Sequence, residues 1–233
     1  MFDLLLMGGH VVDGLGTPMY RADVGIRDGR IVAVGELKEA QAARTLDCQG
    51  LCVSPGWVDI HGHADWNVLE YSIGLNLLIQ GCTTTVAGNC GGCPAPMQGR
   101  ATEILKQHGA RGHGNVTTAE MAKRYPEGRW SMADLLNEVE KSRPSLNYVQ
   151  LAGHNNIRTC VMGHDQRCAM PEEVEQMKVL VDECIEQGAF GLSTGLVFIP
   201  GCWSNTEEII ELARVVAKHD GLYASHIRGE RET

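Results

Sequence analysis

The chain reads as an α/β protein in two parts, a β-rich beginning and a longer region of parallel strands joined by crossover helices, on three observations. Its opening residues carry a hairpin signature, Asp28-Gly29 between two strand-like runs. After Ser54-Pro55-Gly56, short apolar runs alternate with amphipathic stretches, the pattern of strands covered by helices. With 233 residues, 43% of them hydrophobic, the chain can bury a substantial core.

Taken in order, Met1 to Met7 is a short apolar run without a positive flank or a small-residue cleavage site, so a first strand is expected there rather than an export signal. Ala22 to Arg27 and Arg30 to Val34 are the arms of the hairpin, and Asp-Gly suits a two-residue type I′ turn. Leu51 to Val53 adds a strand. The boundary then falls near Pro55, giving a first part over residues 1–54 and a second over 55–233. Five strands are expected in the second part: Trp57–His61, Thr83–Ala87, Leu146–Leu151, Ala189–Ser193 and Leu222–His226. Three helices between them carry their own punctuation. One opens at Ser131, with Asp134 at N3, and runs to about Lys141. Another starts at Pro171, turns Val174, Met177, Val181 and Cys184 to one face, and stops at Gly188. The last enters through Ser204-Asn205-Thr206-Glu207, packs Ile209, Leu212 and Val216, and ends at Gly221. Gly91 to Arg129, rich in glycine and polar residues, is expected as a long active-site loop.

Composition excludes several classes of function. The net charge is −9 with no basic stripe, so the footprint that would hold a phosphate backbone is missing and nucleic acid is not an expected partner. No stretch approaches the length of a membrane span. The nine cysteines are odd in number and irregularly spaced, which argues against a disulfide framework and for the reducing cytoplasm. Cys48, Cys52, Cys82, Cys160, Cys168, Cys184 and Cys202 are expected as small buried hydrophobes.

The chemistry gathers at strand ends. Residues two apart on a strand point the same way, so Asp59, His61 and His63 share a face, and two imidazoles so placed can reach one metal. The competing explanation is a pair of solvated histidines at the start of a loop. Cys90, in Gly88-Asn89-Cys90-Gly91-Gly92, follows the second strand, where a thiolate beside imidazoles suits zinc. Cys90-Gly91-Gly92-Cys93 also has the spacing of a zinc knuckle or a redox pair. A knuckle lacks its second ligand pair nearby, and the following Pro-Ala-Pro speaks for a loop rather than the helix a redox motif opens. His226 closes the fifth strand; alone, a histidine there is more often structural than a ligand, but with His61, His63 and Cys90 it completes a set of metal donors. His154, after the third strand, is either a loop residue facing substrate or a structural one. His10, His108, His113, His164 and His219 stand in no pattern.

Five blocks together resemble the amidohydrolase superfamily, and within it the N-acyl-D-amino-acid deacylases, or D-aminoacylases. They run from Pro55 to Asp65, from Gly81 to Gly91, Gly153-His154-Asn155, from Gly188 to Leu196, and from Tyr223 to Arg228. The resemblance implies a TIM (β/α)8 barrel, incomplete here, preceded by the N-terminal part of a small β-sandwich. It implies zinc, as one or two ions, on His61, His63, Cys90 and His226, with Cys90 bridging because Gly188 to Leu196 holds no lysine to do so. It implies hydrolysis of the amide of an N-acyl-D-amino acid, the small-molecule partner, zinc acidifying its water towards about 7 and polarising the acyl carbonyl. A further histidine ligand and the aspartate general base are implied beyond Thr233, so no catalytic base is expected in these residues and the chain reads as an N-terminal fragment, inactive alone. Five strands cannot close such a barrel. Phe198 stands where the family has a substrate-side tyrosine, so it either alters the acyl contact or serves as packing. The alternatives are a related amidohydrolase acting on another C–N bond, a deaminase or dipeptidase, and a metal-binding remnant without turnover.

Overall fold

The computed structural model describes residues 1–109 and 116–229, and the chain divides into two compact units, Met1–Gly56 and Trp57–Thr233. His113 and part of the expected active-site loop lie outside the described residues.

The first unit is one five-stranded sheet. Its strands are β1 (Phe2–Val11), β2 (Tyr20–Arg27), β3 (Arg30–Gly35), β4 (Ala42–Asp47) and β5 (Cys52–Val53). The order is β3-β2-β1-β4, with β5 also on β1; β1 runs antiparallel to β2 but parallel to β4 and β5. Asp28 and Gly29 have φ of +51° and +69°, the two positive values of a type I′ turn, which matches the right-handed twist of the arms. Val11, Ala22 and Val24 form the buried core, with Leu6, Ile26 and Val53 packed on it. Asp23 fastens the hairpin to β1: its carboxylate accepts from the Leu37 amide at 2.8 Å and the Gly8 amide at 2.7 Å. Those two amides hold its pKa below the usual carboxylate value. This unit has a single sheet and leaves Ile31, Val32 and Val34 of β3 exposed.

The second unit is built from parallel strands in chain order. β6 (Trp57–Asp59) is followed by the short α1 (Leu75–Leu78) and β7 (Cys82–Ala87). Then come α2 (Gly99–His108), α3 (Val116–Arg124), α4 (Met132–Ser142), β8 (Asn147–Gln150) and β9 (Ala152–Gly153). The described chain ends with α5 (His154–Met162), α6 (Pro171–Glu186), β10 (Gly191–Gly195), α7 (Thr206–Lys218) and β11 (Leu222–His226). The sheets are β6-β7-β8 and β11-β10-β9, all parallel. They meet where the third expected strand divides around Leu151, whose amide still reaches the Ala87 carbonyl at 2.9 Å.

Side chains at the caps explain the helix starts. Ser131 and Asp134 form a reciprocal capping box on α4, Pro171 occupies the first turn of α6, and Asn205 accepts from the Glu208 amide on α7. Their apolar faces meet in one core that includes Met121, Met132, Leu135, Ile157, Met177, Val181, Leu192 and Leu212. The expected loop from Gly91 to Arg129 is corrected: α2 and α3 lie in it. Their buried faces carry Thr102, Thr117 and Thr118 beside Ala101 and Met121, so an apolar period does not betray them. The cysteine expectation also holds only in part. Cys48, Cys160 and Cys184 are buried, Cys82 and Cys202 half-buried, Cys52 and Cys168 exposed. No helix among the described residues is long and apolar enough to cross a membrane.

Candidate metal centre

The first two donors leave β6 on a turn, not on strand alternation. β6 stops at Asp59, short of the expected His61, because the Asp59 carboxylate accepts from the His61 amide at 3.2 Å, an Asx turn. Pairing with β7 nevertheless continues, the Gly62 amide meeting the Val86 carbonyl at 2.9 Å. A Cβ on Gly62 would stand 2.5 Å from Thr85 Oγ1, so only glycine lets this segment lie so close to β7.

The third donor follows β7. His61 Nε2 lies 3.3 Å from Cys90 Sγ, and the His61 and His63 rings meet edge to face with centroids 5.6 Å apart. One donor atom from each of His61, His63 and Cys90 lies within 4.8 Å of the other two. Tetrahedral zinc, with bonds of about 2.0–2.3 Å, spaces its donors roughly 3.5 Å apart, so the three are within reach of one ion. Two imidazoles and a thiolate are also the borderline-to-soft set that zinc prefers. Partial burial, reinforced by neighbouring His61 and opposed by Asp59, pushes the His63 pKa down, leaving a neutral imidazole with a lone pair for a metal at neutral pH.

His226, at the end of β11, lies outside that group of three. It lines a hollow of about 160 Å³ with Ile60, His61, Asn89, Cys90, Ala224 and Ser225. Phe198 stands edge-on to its ring at 4.9 Å. A larger cavity of about 740 Å³ opens on Asp59, His61 and His63 from the side of Tyr71 and Tyr148.

His154 is elsewhere. It begins α5 rather than sitting in a loop, it is fully buried, and its Nε2 lies 2.7 Å from Glu208 Oε1. Glu208 also receives the Arg158 guanidinium. Burial pushes Glu208 up, but the bonds from His154 and Arg158 outweigh it and hold the carboxyl below its ordinary value. Having no accessible surface, His154 has the surroundings of the structural alternative, in a helix rather than in the expected loop. Cys93 likewise departs from a redox pair: it is buried, and burial pushes its thiol well above the usual value, away from the reactive thiolate.

Two residues near the donors went unnoticed in the sequence. Asn89 is buried, and its amide donates to the Val86 carbonyl at 2.9 Å and the Gly62 carbonyl at 3.3 Å, tying the two donor segments together. Asp65 is fully buried two residues past His63, and burial pushes its carboxyl up to about 7 against the pull of the Gly88 amide. Both stand inside the blocks quoted above, adjacent to expected ligands, and that adjacency was their signal.

No family model matches the chain. Among curated proteins, D-aminoacylase of Alcaligenes xylosoxydans xylosoxydans is 37% identical over 99% of this chain, which spans only 45% of that relative. A solved D-aminoacylase, described as defining a novel subset of amidohydrolases, superposes with a TM-score of 0.84 at 35% identity, over 99% of this chain and 46% of its own. N-acyl-D-glutamate deacylase from Bordetella bronchiseptica, solved with zinc and a phosphonate inhibitor that mimics the tetrahedral intermediate, gives a TM-score of 0.75 at 33% identity, over 98% of this chain and 46% of its own.

Proposed function

We propose that this chain, a homologue of the N-acyl-D-amino-acid deacylases, supplies the metal-holding part of a zinc-dependent hydrolase that cleaves the amide of N-acyl-D-amino acids. The observation that supports it most directly is the convergence of His61, His63 and Cys90 donors within 4.8 Å at neighbouring parallel strand ends. In this reading the strands from β6 to β11 are part of a (β/α)8 barrel, whose catalytic layer lies at C-terminal strand ends. The first sheet is one layer of a sandwich.

His61, His63, Cys90 and His226 would hold the ion or ions, Cys90 in the bridging place. Bound zinc supplies a Lewis acid that acidifies water and polarises an acyl carbonyl. The chain's own residues do the rest of what can be read here. His63 keeps its lone pair at neutral pH, Asn89 fixes the two donor segments against each other, and Phe198 stands edge-on to the His226 ring, where it would meet an acyl group held beside the metal. Phe198 offers that group an apolar wall without a hydroxyl.

The test has two arms. Zinc retained by the 233-residue chain after dialysis is expected at one or two equivalents and to fall at least tenfold in affinity in Cys90→Ala. A protein of the relatives' length carrying this sequence is expected to release amino acid from N-acyl-D- and not N-acyl-L-substrates. Unchanged zinc in the variant sinks the ligand set; release from neither chirality sinks the activity.

A further inference from the structure

We infer that Ser193 of β10 is a positioning residue for Cys90, an inference that rests on the metal-centre reading above. The turn that presents Cys90 is unusual: Gly88, Cys90 and Gly91 have φ of +80°, +56° and +73°. For the cysteine, which carries a Cβ, such a backbone is disfavoured, so the turn needs an outside hold. Ser193, fully buried and more than a hundred residues away in sequence, provides it. Its hydroxyl donates to the Gly88 carbonyl and accepts the Gly91 amide at 3.0 Å, so it grips the backbone on both sides of Cys90 and uses both capacities of a hydroxyl.

The neighbouring residues of β10 complete the arrangement. A Cβ on Gly195 would stand 2.0 Å from the Cys90 carbonyl, so the strand runs directly against the turn there. Thr194 points the other way, as strand alternation requires, to the Tyr223 hydroxyl at 3.0 Å and Ser225 Oγ at 2.8 Å. The block Gly191-Leu192-Ser193-Thr194-Gly195 contributes no ligand, yet it sets where the Cys90 thiol meets His61. Without the Ser193 hydroxyl, the buried Gly88 carbonyl and Gly91 amide each lose a partner, and the turn can relax away from the 3.3 Å contact between Cys90 and His61.

Cobalt(II) titration of the 233-residue chain tests this, because a thiolate bound to cobalt adds a charge-transfer absorption that reports the Cys90–metal bond itself. Ser193→Thr keeps the hydroxyl; Ser193→Val has the same shape without it, so the steric cost cancels between them. With folding checked by circular dichroism, the Thr variant is expected to keep the band. The Val variant is expected to lose most of it and to bind cobalt at least tenfold more weakly. Ser193→Ala, which adds no volume, carries the same expectation if Val disturbs the fold. A hydroxyl-free variant that folds and matches Thr in band and affinity overturns the inference while leaving the metal centre standing. A wild-type chain without a band, unaltered by Cys90→Ala, overturns the metal centre and this inference with it.

Discussion

At the scale of single residues, Cys90 shows how a candidate ligand can work against its own backbone. Its φ of +56° is disfavoured for any residue with a Cβ, and glycine would adopt it freely. Cys90→Gly is therefore expected to leave the metal-free chain as stable as wild type or about 1 kcal/mol more so, while abolishing its share of metal binding. Urea unfolding without metal, beside zinc titration, checks both; a destabilised, metal-free Gly variant would show that the thiol also packs. The grouping of His61, His63 and Cys90 was readable in the sequence because side chains able to bind a metal are few in type and stand out at strand ends. The role of Ser193 was not, since a hydroxyl that bonds backbone carries no pattern until the fold brings its partner close.

Among elements, the helices divide by how they bury themselves. α4, α6 and α7 announce their starts with Ser131, Pro171 and Asn205, and their faces with aliphatic periods. α5 stays hidden because its buried face carries His154, Asn155 and Arg158. That face is stable only because Glu208 of α7 meets both His154 and Arg158. Glu208→Gln leaves the Arg158 charge buried without a counterion, at an expected cost of about 3–5 kcal/mol near pH 7. The folded carboxyl titrates below its ordinary value of 4.5, so its contribution is complete above that value and is lost as pH falls through the lowered one. Stability curves for wild type and Glu208→Gln should therefore lie a constant distance apart at neutral pH and converge in acid. Curves that stay parallel below pH 4 would assign the loss to packing rather than charge.

Across the second unit as a whole, the parallel order from β6 to β11 follows from the alternation of apolar runs and helices. Where each sheet ends is set by pairing, which a single chain pattern does not encode. β6 pairs only with β7, and β11 only with β10, among the described residues. Both outer strands expose apolar side chains: Trp57 and Val58 with the following Ile60, and Leu222 and Tyr223 with the following Ile227. Unpaired edges of this character recruit other strands, and patches this apolar do not stay bare without consequence. The 233-residue chain on its own is thus expected to bind a hydrophobic dye such as ANS and to associate as its concentration rises. Replacing Val58 and Ile60 by Thr and Lys should lower both, because charge on an edge strand blocks further pairing. Light scattering across a concentration series, with dye fluorescence read on the same samples, measures the effect. Association unaltered by these changes would place it on another surface, such as the exposed Ile31, Val32 and Val34 of β3.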